Sequence, residues 1–166
     1  MRPLSRLVLL ACVLPSAALA SGVNWFQPGK DAQHIGYNAK ETVLNTANVA
    51  NLRLSWTATT NADIDAPLVT DGRKLFVMST DGTLYAYSAR HGKLLWSVVV
   101  NKNGAPGNWG LVASGSTVYA NCQLDYDGSP WRGHGGLCAY AAATGAPLWS
   151  YAINNEGPNN PVDSAP

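Results

Sequence analysis

The sequence predicts an all-β protein assembled from repeated four-stranded antiparallel units, and three observations carry that prediction. Blocks of text recur: "LVTDGRKLFV" (68–77) aligns with "LVASGSTVYA" (111–120), and "TLYAYSARHGKLLWS" (83–97) aligns with "GLCAYAAATGAPLWS" (136–150). Asp-Gly and other glycine turns punctuate short apolar runs at regular intervals, as antiparallel hairpins require. No segment carries a sustained helical period; "ETVLNTANVANL" (41–52) has room for one short turn.

The first complete copy divides into four strands, expected at 67–70, 74–79, 83–88 and 94–100. Asp71-Gly72, Asp81-Gly82 and His91-Gly92 separate them, each glycine supplying the positive φ of a tight turn. In "TLYAYS", Leu84, Ala86 and Ser88 face one side and Tyr85 and Tyr87 the other, so both faces are largely apolar. Such a strand belongs in a sheet sandwiched between neighbouring sheets. The second copy repeats the scheme over 108–153, with extra residues inserted at 121–136. Units of this kind at a period of about 40 to 45 residues describe β-propeller blades.

Partial copies flank the pair. "LRLSW" (52–56) repeats the ending of "GKLLW", and "DSAP" (163–166) repeats the opening "DIDAP" (63–67). The expected organisation is therefore a lead-in segment at 21–50, an outer strand at 51–60, one blade at 63–101, a second at 108–153 and the start of another at 163–166. About two blades plus partial ones are expected to belong to a larger propeller, with eight blades the expected count and the missing C-terminal blades as natural partners. Unpartnered sheet edges would then favour association.

Residues 1–20 read as a secretory signal peptide. Arg2 and Arg6 precede the apolar "LVLLACVLPSAALA", and Ala18-Leu19-Ala20 offers small residues for cleavage after Ala20. A lipoprotein signal ending at Cys12 is disfavoured, because too few residues separate it from Arg6 for the usual apolar stretch. No later stretch is long or apolar enough for a transmembrane helix. A periplasmic or secreted location follows. The whole chain has 166 residues and a formal charge of +1; loss of the two leader arginines leaves the mature part at −1. Charges are scattered without a basic stripe, which argues against a nucleic-acid partner.

The stretches Ala86-x-Ser88-x-x-His91-Gly92-x-x-x-Trp96 and Ala139-x-Ala141-x-x-Thr144-Gly145-x-x-x-Trp149 resemble the tryptophan-docking repeat of quinoprotein-type (pyrroloquinoline-quinone-binding-like) β-propellers. That pattern is Ala-x-Asp-x-x-Thr-Gly-x-x-x-Trp, and the chain departs from it at Ser88, Ala141 and His91. The resemblance implies structural roles for Trp56, Trp96, Trp149, Gly92 and Gly145: the glycines close turns, and each indole lies between adjacent sheets, burying on the order of 200 Å². It also implies that the strand carrying Trp56 completes the ring's last blade.

The same resemblance points to the central channel as the functional surface. In quinoprotein dehydrogenases that channel holds pyrroloquinoline quinone and calcium against a flat aromatic. Trp109 is the matching candidate platform, with Asn108, Asp65 and Asp163 as oxygen donors; packing of Trp109 between blades is the preferred alternative. The adjacent-cysteine disulfide common in such dehydrogenases has no counterpart here. Asp125 and Asp127 in "DYDG" suggest a calcium loop, but the further ligands of one are missing and a solvated turn is preferred. His34, His91 and His134 form no metal spacing, and no Ser/His/Asp set can be assigned.

Cys122 and Cys138 bracket the insertion and are expected to form a disulfide in an oxidising compartment. Copying the first hairpin's register places Cys138 opposite Ala120, leaving Cys122 a diagonal neighbour at about 7–8 Å, so some local shift is needed. Three functions remain open: a non-catalytic binding or scaffolding propeller, like the outer-membrane assembly propellers that share such repeats; a dehydrogenase acting on an alcohol or sugar; and a fragment without activity of its own. Other envelope proteins or a small alcohol or sugar are the corresponding partners.

Overall fold

The computed structural model describes residues 24–64, 66–102, 110–124 and 134–153. They form eight strands in two four-stranded antiparallel sheets, each a β-propeller blade. The first blade comprises β1 (Val69–Thr70), β2 (Lys74–Met78), β3 (Thr83–Ser88) and β4 (Leu94–Val99), hydrogen-bonded in that order. The second comprises β5 (Leu111–Ser114), β6 (Thr117–Leu124), β7 (His134–Ala141) and β8 (Pro147–Ala152), in the same meander. The expected all-β class stands, and the expected strands of the first blade match to within a residue or two at their ends.

The period-two pattern sends alternate residues to opposite faces. Phe76, Met78, Leu84 and Ala86 on the first sheet meet Val118, Ala120, Cys122, Cys138 and Tyr140 on the second, forming one core between the blades. On the outer face of the first sheet, Val77, Tyr85 and Tyr87 pack with Leu75. The segment before β1 crosses this face: the Tyr87 hydroxyl donates to the Thr59 carbonyl at 2.8 Å, and Ser79 Oγ to that of Ala62 at 3.1 Å. Residues 52–60 make no strand ladder among the described residues. The short turn expected in 41–52 is a 3-10 helix, Val49–Asn51.

The blades are copies in detail. Each has a bulge at the same step of its third and fourth strands, Ala86/Tyr87 in one and Ala139/Tyr140 in the other. Glycine at the third turn is required: Gly92 has φ 64° and Gly145 φ 73°. Although Ser88 and Ala141 stand where the repeat pattern has Asp, main-chain bonds hold both turns. Gly92 N–H donates to the Ser88 carbonyl and Gly145 N–H to that of Ala141, both at 2.8 Å.

The insertion does something the sequence does not announce. Its two ends continue the β6–β7 ladder, pairing Asn121 with Leu137, Cys122 with Gly136, Gln123 with Gly135 and Leu124 with His134. The second blade's central hairpin is therefore longer than the first's. Ala120 does face Cys138, as expected, and the Cys122–Cys138 disulfide closes across the diagonal with a Cα separation of 5.8 Å. This is shorter than the diagonal of a flat ladder, because strand twist brings one diagonal together while opening the other.

Candidate functional site

The most definite built feature is an indole resting on a turn glycine, seen twice, the second time between the two blades. The indole of Trp56 lies on Gly92, where a Cβ would fall on the ring, and its Nε1–H donates to the Ala89 carbonyl at 3.0 Å. One blade on, Trp96 lies on Gly145, where a Cβ would come within 2.6 Å of the ring's Cε3, and Nε1–H donates to the Ala142 carbonyl at 3.2 Å. In both contacts the glycine faces Cε3 and Cδ2 of the indole, and the indole N–H reaches the carbonyl at the same step of the repeat. A glycine there is demanded twice, by its positive φ and by the ring resting on it.

The indoles of the two fourth strands, Trp96 on β4 and Trp149 on β8, are each backed by an aromatic of their own sheet. Phe76 and Trp96 have ring centroids 5.9 Å apart, and Tyr119 and Trp149 repeat the pairing at 5.9 Å. The environments then diverge. Trp96 is half-buried between the sheets, whereas Trp149 is 47 % exposed, with Leu148 and Tyr151 exposed beside it on β8. Of the three indoles, Trp96 packs against the core between the two sheets, Trp56 lies on the Gly92 turn, and the face bearing Trp149 carries no further sheet among the described residues.

A second feature was missed in the sequence. Trp25 bridges β1 through a reciprocal pair: Trp25 N–H donates to the Thr70 carbonyl at 2.9 Å, and Thr70 N–H donates to the Trp25 carbonyl at 2.8 Å. The next carbonyl, that of Phe26, accepts from Ala113 N–H on β5 at 2.7 Å. The start of the lead-in segment therefore ties the first strands of both blades together, and the Phe26 ring packs against the shared core. The adjacent aromatics Trp25 and Phe26 were the available signal.

The residues proposed for the channel site, Asp65, Asn108, Trp109 and Asp163, lie outside the described residues, as do Asp125 and Asp127. Nothing in the structure brings them together or separates them. His91 sits in an exposed turn, His34 in the lead-in segment with φ 53°, and His134 pairs through its backbone at the head of β7. Among the described residues no group of three His, Cys, Asp or Glu could hold a metal. A cavity of 280 Å³ lies where Val100 faces Leu124, Cys138, Tyr140 and Leu148; its lining is mostly apolar and presents no acid–base pair. Burial pushes the Tyr140 hydroxyl above its ordinary pKa.

Two turn carboxylates carry shifted ionisation. Burial alone would raise Asp71, but N–H bonds from Lys74 and Arg73, with the Lys74 ammonium at 3.3 Å, outweigh it and hold the carboxyl below its usual value. Asp81 follows the same logic, its burial outweighed by hydrogen bonds led by Thr83 N–H. Both are turn fasteners: Asp71 accepts from the N–H groups two and three residues on and Asp81 from the one two residues on, which fixes the turn each opens.

Comparison with known proteins decides the family. A family model described as outer membrane protein assembly factor BamB matches residues 19–165. The chain belongs to that family. Similar solved structures include BamB from Moraxella catarrhalis (19 % identity, TM-score 0.43, 60 % of this chain and 27 % of that one). They also include a europium-containing methanol dehydrogenase (18 %, TM-score 0.49, 80 % and 32 %). A third is the quinohemoprotein alcohol dehydrogenase from Comamonas testosteroni (17 %, TM-score 0.46, 80 % and 28 %). This BamB-family chain thus spans about a third or less of each solved chain it matches. No curated protein matches it. Among the described residues of this BamB-family chain, no helix is long and apolar enough to cross a membrane.

Proposed function

We propose that this chain supplies blades to a binding propeller of the cell envelope, which serves as a scaffold in the assembly of outer-membrane proteins rather than as an enzyme. The match of the family model across residues 19–165 carries the reading. On this reading the leader at residues 1–20 exports the chain, residues 21–50 lead in, and the segment at 51–60 completes a closing blade. The indole contacts at Gly92 and Gly145 are the tryptophan docking of the repeat pattern. The open face bearing Trp149 receives the turn glycine of a following blade, which is the chain's first partner. Surface turns and the lengthened β6–β7 hairpin then remain to engage other envelope proteins.

Deletion of the gene tests this reading. The amount of folded outer-membrane β-barrel protein should fall, and re-expression of the intact protein should restore it. Unchanged barrel levels would refute the scaffold. So would reduction of a redox dye on adding an alcohol after loading with pyrroloquinoline quinone and calcium, which would put the dehydrogenase reading in its place.

A further inference from the structure

The equivalence of the two blades provides an internal control for surface chemistry. In the first blade the β1–β2 turn and the β3–β4 turn are joined by Ala89 N–H donating to the Arg73 carbonyl at 2.8 Å. In the second, Ala142 N–H donates to the Ser116 carbonyl, also at 2.8 Å. The backbones therefore present the same corner twice, while the side chains on it differ completely. The first corner carries Arg73, Arg90, His91 and Lys93, all exposed; the matching positions of the second are Ser116, Ala143, Thr144 and Ala146.

None of the side chains of Arg73, Arg90 and Lys93 makes an ion pair or hydrogen bond among the described residues. The one carboxylate on this corner, Asp71, is already engaged by Lys74 and by two main-chain N–H groups. A cluster of cations without a carboxylate partner among the described residues therefore sits on two turns fastened together. The fold does not need them, because the sister blade makes the same corner without charge.

We infer that this corner is an interaction surface for an acidic peptide segment of a partner protein. Two features favour a peptide over an anionic membrane. Three exposed cations are fewer than the four to eight that juxtamembrane lipid-binding clusters use. Arginine forks instead match carboxylates bidentately at short range, and the joined turns hold Arg73 and Arg90 within reach of one short acidic run. The inference rests on the reading of the chain as a binding module, and not on outer-membrane assembly.

The test replaces the corner with its sister's residues, Arg73→Ser/Arg90→Ala/Lys93→Ala, in the full chain. Binding of a fluorescein-labelled oligoglutamate peptide is followed by anisotropy, beside sedimentation with vesicles of phosphatidylglycerol and phosphatidylcholine. The parent should bind the peptide, the triple variant about tenfold more weakly, and added salt should weaken the parent. A second variant, Arg90→Glu, guards against loss of fold, since it changes one exposed turn position and should weaken binding on its own. Equal affinity of parent and variants, no binding of the peptide, or binding to the anionic vesicles alone would each overturn the inference. A failed barrel-assembly experiment would leave this titration standing, so the two readings fail separately.

Discussion

Replacing Gly145 by alanine probes the blade contact at its narrowest point. Two costs add. The backbone there has φ 73°, where a Cβ costs about 1–2 kcal/mol. The new methyl would also stand 2.6 Å from Cε3 of Trp96, inside contact distance, so the indole must shift. Overpacking of this kind costs about 1–3 kcal/mol, and displacing the indole puts its bond to the Ala142 carbonyl at risk, worth about 1 kcal/mol. The expected loss is about 2–5 kcal/mol. Gly115 is the natural control: its φ is 56°, and a Cβ there meets nothing within 4 Å. Gly115→Ala should therefore show the backbone cost alone, about 1–2 kcal/mol. Urea unfolding followed by tryptophan fluorescence measures both. Adding Trp96→Ala to Gly145→Ala should remove the steric part, so the two changes combine to less than their sum. If Gly145→Ala costs no more than Gly115→Ala, the indole is not seated as described and the blade-to-blade argument fails.

Trp96→Ala should destabilise by about 3–5 kcal/mol, since it empties the space between the sheets. Trp149→Ala, at an indole 47 % exposed, should stay within about 1 kcal/mol in the same unfolding experiment. Reducing the Cys122–Cys138 disulfide, which links residues 16 apart, should cost about 3 kcal/mol, read as a lower denaturation midpoint with reductant present. Asp71 and Asp81 have folded pKa values below their unfolded ones. Their contribution is therefore complete above the ordinary carboxylate pKa and is lost as pH falls through the folded values. The acid limb of thermal stability below about pH 4 should flatten in Asp71→Asn and Asp81→Asn.

Much of this molecule was legible because its signals are local or repeated. Alternating "TLYAYS" and "LCAYAA" marked strands, the Asp-Gly steps marked turns, and recurring Gly and Trp marked equivalent positions in two blades. Even the register that sets Ala120 opposite Cys138 followed from copying one hairpin onto the other. A period-two pattern and a turn glycine express constraints that act within a few residues, so a short window contains them.

The sequence by itself determined the fold class, the repeat and the approximate strands; that Trp56 rests on Gly92 and Trp96 on Gly145 is visible only in the folded chain. Tertiary structure decided the rest: that Trp25 and Phe26 tie β1 to β5, and that the ends of the insertion lengthen β6 and β7. It also decided that strand twist brings Cys122 within 5.8 Å of Cys138, and that Trp96 is covered while Trp149 is not. Those outcomes depend on which distant segment lies alongside, and residues of identical local pattern receive different neighbours only when the blades stack.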